Sequence, residues 1–352
     1  LNLYISNIEH EKIVAITGTN GKSTTTKLIG DILKKNKFKT FVGGNIGEPL
    51  CNSFISKKKY DFHVIELSSF QLETIKKISS KISVITNLAN DHLDRYKNIN
   101  DYIKQKKNII NKNGINLFSI DDSYSKKLFQ NKSIKNKLSF SILSESADFF
   151  IKDGYIFDNI QKKNNKIPIK YTSKDLEGQF NHQNILIAYI CSKLLKVPKK
   201  NFLNVIKNFV GLPYRSNVIY NNRKLKIINN SKSTNINSAI SLIENYSNIY
   251  LILGGIAKES NFETIIKYNN KINCIYIFGK SASLIENKLK QSFSIKKFKN
   301  LKAVINQIFK DIKKNTTKVN ILFAPACSSY DQYKNFEDRG KEFNKLIFKN
   351  LK

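Results

Sequence analysis

The sequence lacks several features that mark specialised protein classes. Its 352 residues include no Met, no Trp and only four Cys, which lie far apart and form no CxxC pair. This argues against a disulfide scaffold and a zinc ribbon, and reduced thiols are expected. No apolar run approaches the roughly 18 residues of a transmembrane helix. The chain does not open on the basic, apolar and small-residue succession of a signal peptide.

Acidic residues are scarce, since 27 Asp and Glu stand against 60 Lys and Arg and give a formal net charge of +33. Such an excess suits a nucleic acid or another polyanion as partner. The lysines, however, are scattered among Asn and Ile along the whole chain, without a basic arm or an aromatic-interleaved stripe. We interpret the charge as compositional drift and expect neither nucleic acid nor membrane as partner. A P-loop NTPase that binds nucleic acid stays open as an alternative.

Apolar runs of strand length alternate with helical stretches in both halves of the chain. The runs are residues 12–17, 62–67 and 82–88, then 226–230, 249–255, 274–280 and 319–325. Such alternation predicts parallel sheets with crossover helices. We predict an α/β protein with a P-loop-type, mostly parallel sheet domain over 1–211 and a Rossmann-like domain over 212–352. Residues 114–175 are expected to form hairpins and loops, and 186–196 an amphipathic helix.

The strongest local signal is the segment GTNGKST at 18–24, between a strand and a helix. Backbone N–H groups of a Gly-rich turn at a helix N-terminus attract phosphate oxygens. Lys22 would supply a point charge, and the Ser23 hydroxyl could ligate Mg²⁺. A strict Walker A motif requires Gly where this chain has Ile16, and an ordinary structural turn is the alternative.

Two polar clusters follow the next strands. Glu66 opens ELSSFQLE (66–73), where a strand-end carboxylate beside a phosphate loop can hold Mg²⁺, while Ser68 or Ser69 could cap a helix. His92, in the loop after the third strand, is interpreted as a metal ligand. The other histidines are interpreted as structural or surface residues: His10, His63 and His182.

Three polar loops follow strands in the second half, at 229–235, 254–258 and 324–333. The first combines dense hydrogen-bond donors with one cation and suits a carboxylate or phosphate, with a plain helix cap as the alternative. Cys327 has no His nearby in the sequence, so nucleophilic catalysis by this thiol is not supported.

These motifs, in this order, resemble those of the Mur ligase family. The resemblance spans nearly the whole chain and rests on GTNGKST (18–24), GGNIG (43–47), ELSSFQLE (66–73), NDHLDRY (90–96), GLPYR (211–215), NNSKSTN (229–235), LGGIAK (253–258) and PACSSYDQYKNFEDRGKEF (325–343). The third and the last segments favour the branch that adds D-glutamate over those that add other amino acids or a dipeptide.

The resemblance implies an ADP-forming ligase of cytoplasmic peptidoglycan precursor synthesis, acting as a monomer with ATP and Mg²⁺. Its substrates would be UDP-N-acetylmuramoyl-L-alanine and D-glutamate. In the family's scheme the carboxylate of the nucleotide substrate attacks the γ-phosphoryl group, which gives an acyl phosphate and ADP. The amine of D-glutamate then attacks the acyl carbon, and phosphate leaves.

The resemblance also implies roles for individual residues. ATP would be bound by Gly18, Thr19, Asn20, Gly21, Lys22, Ser23, Thr24, Asn181, Arg215 and Asn230. One Mg²⁺ would be held by Ser23 and Glu66, and a second by His92 with a carbamylated Lys106; Lys22, Glu66, His92 and Lys106 form the implied catalytic set. Asn45 and Ser68 would contact the muramoyl-alanine portion. D-glutamate would be held by Lys232, Thr234, Lys258, Ser329, Tyr330 and Phe336.

The choice of the modified lysine stays open within a Lys-rich stretch. The family's Tyr-x-x-x-Lys-x-x-Ile pattern, with Tyr102 and Ile109, selects Lys106, whereas a gapless count from His92 selects Lys107. Carbamylation converts a cation into an anionic oxygen ligand, which a hard Mg²⁺ ion requires.

Several departures from the family pattern accompany the resemblance. Asn230 stands where the family has Asp near the ATP ribose, and Phe180 precedes Asn181 where the family has His. The family's additional N-terminal domain, which holds the UDP moiety, has no counterpart in this sequence. Since position 1 is also not Met, we expect that residue 1 is not the natural start. A non-catalytic remnant is therefore the second alternative.

Overall fold

The structure is a computed structural model that describes residues 2–351 except 56, 57, 76, 77, 93, 94, 161–165 and 171. The chain forms two compact units. The first comprises Leu1–Asn90 and Tyr96–Val210, and the second comprises Asp91–Arg95 and Gly211–Lys352. In the described part of the chain, no helix combines the length with the apolar character that crossing a bilayer demands.

The first unit is built on one large sheet. Its strands are β1 (Ile13–Thr17), β2 (Thr40–Gly44), β3 (Phe62–Glu66), β4 (Ile82–Ile85), β5 (Ile115–Ser119), β6 (Lys137–Ser141), β7 (Phe149–Lys152), β8 (Tyr155–Asp158) and β9 (Ile167–Pro168). Their order across the sheet is β2-β3-β1-β4-β5-β6-β7-β8-β9. Pairing is parallel from β2 to β7, and β8 and β9 add an antiparallel edge.

Helices cover both faces of this sheet. They are α1 (Asn2–Asn7), α2 (Lys22–Lys35), α3 (Asn52–Ile55), α4 (Ser69–Glu73), α5 (Ile99–Lys106), α6 (Ser123–Gln130), α7 (Gln179–Leu194) and α8 (Lys199–Asn208). Val14 and Ile16 of β1 contribute to the core shared with α2, α7 and α8, whereas Ile13 and Ala15 contribute to the core under α4 and α5. This alternation explains why β1 is apolar at successive positions, as is typical of a strand buried on both faces.

The second unit repeats the principle with a smaller sheet. Its strands are β10 (Asn217–Asn221), β11 (Leu225–Asn229), β12 (Ile249–Gly254), β13 (Ile272–Phe278), β14 (Ile295–Phe298) and β15 (Val319–Phe323), in the order β10-β11-β15-β12-β13-β14. Only the pairing of β10 with β11 is antiparallel within the described residues. The helices are α9 (Ile236–Ile243), α10 (Ala282–Leu289), α11 (Leu301–Asp311) and α12 (Phe336–Leu351). The core on one face joins Ile252 and Phe323 to α11 and α12.

The predicted strands are confirmed, because each of the seven apolar runs coincides with a strand to within a few residues. The expectation of hairpins and loops over 114–175 is wrong at its start, where β5, α6 and β6 continue the parallel sheet. It is confirmed further along, where β7 and β8 form a hairpin. Its two turn residues, Asp153 and Gly154, have φ values of 51° and 74°, as a tight hairpin turn requires.

A buried histidine on β3, His63, makes the stability of the first unit depend on pH. His63 is 3% exposed, and its Nδ1 lies 2.7 Å from the Tyr4 hydroxyl. Burial, and secondarily Lys12, lowers the pKa of His63 from 6.5 to about 4. Because His63 then resists protonation in the native state, its contribution to the free energy of unfolding is complete above pH 6.5. That contribution is lost as the pH falls towards 4.

We therefore expect wild-type protein to lose on the order of 3 kcal/mol between pH 7 and pH 4 through this one residue. Urea unfolding of wild type and of the non-titrating variant His63→Gln at both pH values measures the difference. An equal loss in the two proteins would contradict the assignment.

Candidate functional site

The loop between β1 and α2 has the backbone geometry of a phosphate cradle. Gly18 and Gly21 have φ values of 143° and 81°. A Cβ atom would lie 1.9 Å from Thr86 Oγ1 at the first position and 2.4 Å from Asn184 Oδ1 at the second. Both positions therefore require glycine. Gly21 is the N-cap of α2 and has no side chain that could cover the first N–H groups of the helix.

Residues at the end of β4 fix the shape of this loop. The Asn87 carbonyl accepts a hydrogen bond from the Thr19 N–H at 2.8 Å, and Asn87 Oδ1 accepts one from the Asn20 N–H at 2.9 Å. Thr86 Oγ1 donates to the Asn20 carbonyl at 2.6 Å. Asn87 Nδ2 also donates to Gln183 Oε1 on α7 at 2.8 Å. The loop is thus held in place by neighbouring elements, which preorganises it for a ligand.

Two lysines converge on the same atom of the loop. Lys22 Nζ donates to the carbonyls of Gly18 and Thr19, each at 2.8 Å. Lys106 Nζ donates to the same Gly18 carbonyl at 2.8 Å and to Thr17 Oγ1 at 3.2 Å. Lys106 is 1% exposed, whereas Lys107 is exposed. Of the two lysines left open by the sequence, Lys106 is the one that contacts the phosphate loop.

Glu66 ends β3, the neighbour of β1, and is 1% exposed. Its Oε1 accepts a hydrogen bond from Asn45 Nδ2 at 2.8 Å. Its Oε2 is buried and has no hydrogen-bond partner within the described residues. A buried carboxylate oxygen without a partner is costly unless a cation neutralises it. The structure therefore fits the predicted Mg²⁺ site at this carboxylate.

The described residues contain no group of three or more His, Cys, Asp or Glu side chains placed to hold a metal ion. A Mg²⁺ ion at Glu66 would therefore take its other ligands from hydroxyl, phosphate and water oxygens, as Mg²⁺ commonly does. Ser23, in the first turn of α2 and 3% exposed, is such a hydroxyl.

Other predicted residues of the first unit lie around these groups. Asn45 orients Glu66, and Ser68 is the N-cap of α4 in a capping box with Gln71, so the helix-cap interpretation of Ser68 is confirmed. Asn181, in the first turn of α7, accepts from Asn184 Nδ2 at 2.9 Å. Asn184 Oδ1 in turn accepts from Thr25 Oγ1 on α2 at 3.0 Å.

The three predicted loops of the second unit emerge at one edge of the sheet. They follow β11, β15 and β12, which are consecutive in the sheet and parallel, so their carboxyl ends lie side by side. Crevices beyond the carboxyl ends of parallel strands are where ligands bind in open α/β sheets. The structure thus brings the loops 230–235, 255–261 and 324–335 together.

One cationic cluster at this edge is centred on Phe336. Lys232 Nζ lies 4.3 Å and Arg215 Cζ 5.8 Å from the centre of its ring. Asn230 is buried, and its Oδ1 accepts a hydrogen bond from the Ser216 N–H at 3.2 Å. Arg215 and Asn230, predicted for ATP, therefore lie with Lys232 and Phe336, predicted for D-glutamate.

A second cluster contains His92, because the segment Asp91–Arg95 belongs to the second unit. His92 Nδ1 lies 3.5 Å from Lys258 Nζ, and its Nε2 lies 3.7 Å from Asp91 Oδ2. Lys258 Nζ is also 3.7 Å from Asp91 Oδ1. The other residues predicted to hold metal belong to the first unit: Ser23, Glu66 and Lys106.

The remaining predicted residues of the second unit differ in exposure. Thr234 is half-buried in the loop that precedes α9, Ser329 is 3% exposed, and Tyr330 is 72% exposed. Burial raises the pKa of the Cys327 thiol to about 12. At neutral pH this residue is therefore a protonated thiol and not a nucleophile, in line with the sequence interpretation.

Three residues that shape the site were not among the predicted site residues. Tyr102 places its hydroxyl 3.2 Å from Thr19 Oγ1, and Asn87 holds the phosphate loop as described above. Glu259 accepts a hydrogen bond from the Ile236 N–H at 2.8 Å, and burial raises its pKa. Glu259 had one available signal, since it directly follows Lys258 in a strand-end loop.

Comparison with known proteins gives matches along the whole chain. The Mur ligase middle domain matches residues 16–192. The UDP-N-acetylmuramoylalanine–D-glutamate ligase of Rickettsia prowazekii (strain Madrid E) is 38% identical over 351 residues, which cover 98% of this chain and 78% of that protein. The protein of the same name from Buchnera aphidicola subsp. Schizaphis graminum (strain Sg) is 40% identical over 339 residues, which cover 95% of this chain and 74% of that protein.

Solved structures share the fold at low sequence identity. A pseudomurein peptide ligase type C from Methanothermus fervidus has a TM-score of 0.71 at 17% identity, over 99% of this chain and 80% of that chain. MurF from Acinetobacter baumannii has a TM-score of 0.72 at 14% identity, over 97% of this chain and 78% of that chain. The predicted α/β fold class is confirmed.

Proposed function

The chain belongs to the Mur ligase family, and on that premise we propose that it joins D-glutamate to UDP-N-acetylmuramoyl-L-alanine at the expense of ATP. This reaction is a step of peptidoglycan precursor synthesis in the cytoplasm. The observation that carries the proposal is the glycine loop after β1, with two lysines on its Gly18 carbonyl. At the end of the adjacent strand lies Glu66, whose Oε2 has no hydrogen-bond partner among the described residues.

In this proposal the first unit binds the triphosphate of ATP, and the second unit binds the amino acid. The loop N–H groups and the dipole of α2 attract the triphosphate. Lys22 Nζ, bonded to two carbonyls of its own loop, exchanges them for β- and γ-phosphate oxygens. Asn181, Arg215 and Asn230 are assigned to the rest of the nucleotide, and Asn45 and Ser68 to the muramoyl-alanine portion.

Ser23 and Glu66 would hold one Mg²⁺, and His92 with a carbamylated Lys106 a second. When bound, these ions neutralise charge on the phosphoryl oxygens. Carbamylation of Lys106 is supported by its contacts, since Lys22 and Lys106 donate to the same carbonyl oxygen and their ammonium groups repel each other. A carbamate removes one of the two positive charges and supplies anionic oxygens.

D-glutamate carries two carboxylates, and the second unit offers two separate clusters that each contain a lysine. Lys232 lies against Phe336, and Lys258 lies beside Asp91 and His92. We assign one carboxylate to each lysine. The further contacts are assigned to Thr234, Ser329 and Tyr330.

The test is phosphate release from ATP in the presence of Mg²⁺ and UDP-N-acetylmuramoyl-L-alanine, with D-glutamate, with L-glutamate or with neither. We expect release that requires the D enantiomer. Release that polynucleotides stimulate, with a steep salt dependence, would support the nucleic-acid-binding NTPase instead. Binding of ATP and D-glutamate without product would support the non-catalytic remnant.

A further inference from the structure

Arg339 lies near the start of α12 and is 0% exposed. Among the described residues, it is the largest side chain that is fully buried. Burial lowers its pKa to about 10, so the guanidinium remains charged at neutral pH. No carboxylate forms an ion pair with it among the described residues. Its hydrogen-bond partners are backbone carbonyls and one hydroxyl.

These partners belong to three separate segments of the chain. Nε donates to Ser231 Oγ at 3.1 Å, and an Nη atom donates to the Ser231 carbonyl at 2.7 Å, in the loop after β11. The other Nη atom donates to the Gly254 carbonyl at 3.2 Å, at the end of β12. The Cys327 carbonyl, in the loop after β15, accepts at 3.0 Å. One side chain therefore links the ends of three adjacent strands.

Each linked residue is close in sequence to a residue assigned to D-glutamate. Ser231 precedes Lys232, Gly254 opens the loop that carries Lys258, and Cys327 lies two positions before Ser329. Ser231 Oγ also donates to the Phe336 carbonyl at 2.8 Å, so the first residue of α12 is tied to the same point. The Asp331 carboxylate interacts with the guanidinium without forming an ion pair. Fold stability alone would favour an apolar side chain here, because a buried charge is costly unless it is closely paired.

We propose that Arg339 is a positioning residue for the amino-acid site, and that its guanidinium sets the spacing of the three loops that hold the two carboxylates of D-glutamate. This inference rests on the proposed function. The planar guanidinium presents donors in a fixed fork, so it can hold three carbonyls at defined angles. A lysine at this position would keep the charge and lose the fork.

The test compares Arg339→Lys with Phe343→Leu, a control on the same helix whose ring is buried and stacks on Phe323 at 4.3 Å between centroids. Both changes disturb the core, but only the first removes the links between loops. We expect Arg339→Lys to raise the KM for D-glutamate by about tenfold or more, and the KM for ATP by a smaller factor, because, of the residues assigned to the nucleotide, Asn230 alone lies in one of the three loops. We expect Phe343→Leu to change neither KM by more than about twofold.

Steady-state kinetics at a temperature where thermal denaturation shows every variant folded provides both constants. Hydrogen exchange of the amides at 231–235 and 255–258 is a second readout, and faster exchange in Arg339→Lys than in Phe343→Leu supports the proposal. A D-glutamate KM that moves no more than in the control would overturn it. Wild-type protein without D-glutamate-dependent phosphate release would instead contradict the proposed function itself.

Discussion

Replacing Lys22 with Ala is expected to abolish ATP turnover while leaving the first unit folded. The side chain is half-buried at the start of α2 and supplies the positive charge nearest the glycine loop that an incoming triphosphate can recruit. Loss of a charge that stabilises a transferring phosphoryl group costs on the order of a thousandfold in rate. Alanine is also a favourable helix residue, so the fold is preserved.

Phosphate release and thermal denaturation together measure this effect. The matched control is Lys34→Ala, which removes an exposed lysine from the last turn of the same helix. It should leave turnover unchanged. Unchanged turnover in Lys22→Ala would overturn the assignment of the loop to phosphate.

Replacing Glu66 with Gln should have opposite effects on activity and on stability. The Gln oxygen can accept the Asn45 hydrogen bond that Oε1 accepts now, so the local geometry is kept. The loss of the anionic oxygen removes a Mg²⁺ ligand, and we expect turnover to fall by about a hundredfold or more. In Mg²⁺-free buffer the same change removes the charge from a buried carboxylate whose Oε2 has no hydrogen-bond partner in the described part of the chain, and we expect about 1 kcal/mol of added stability.

Two controls separate these effects. Glu48→Gln neutralises an exposed carboxylate three positions after Asn45 and should change neither turnover nor stability. Asn45→Ala removes the one hydrogen bond that the Glu66 carboxylate accepts within the described residues, and it should lower stability in Mg²⁺-free buffer. If Glu66→Gln is both active and less stable than wild type, Glu66 is a structural residue and the metal assignment fails.

The strands could be predicted from sequence because both sheets are mainly parallel and buried, which makes their strands continuous apolar runs. Among the strands that lie outside the seven predicted runs, two show the physical reason most clearly. The strand β2 ends in Gly43 and Gly44, which pack against the backbone of Glu48 and Glu66 and carry no apolar signal. The strand β14 is an edge strand with the sequence IKKF, which is only partly buried.

The predicted amphipathic helix over 186–196 differs from the observed helix in its bounds and in how much of its surface is buried. The observed helix α7 begins earlier, at Gln179, and its buried residues include an unbroken run from Gln183 to Ala188. The helix contacts both α2 and the sheet, so it is buried over most of its circumference and is not amphipathic.

Site residues could be predicted where they share a short motif, and could not where long-range contacts define them. Lys22 and Ser23 begin the helix after the glycine loop, and Glu66 is the last residue of β3, so each occupies a recognisable position in the sequence. Arg339 bonds to Ser231, 108 positions away, and Asn87 bonds to Gln183, 96 positions away. No local pattern shows that such residues meet.

The most direct test of this account is a crystal structure with Mg²⁺ and a non-hydrolysable ATP analogue. We expect phosphate oxygens on the backbone N–H groups of residues 19–23, with Lys22 turned away from the Gly18 carbonyl towards them. We also expect a metal ion bound to Glu66 Oε2 and the Ser23 hydroxyl. A triphosphate bound elsewhere, or Glu66 still without a metal ion beside it, would contradict the assignment of the loop and of Glu66 to ATP and Mg²⁺.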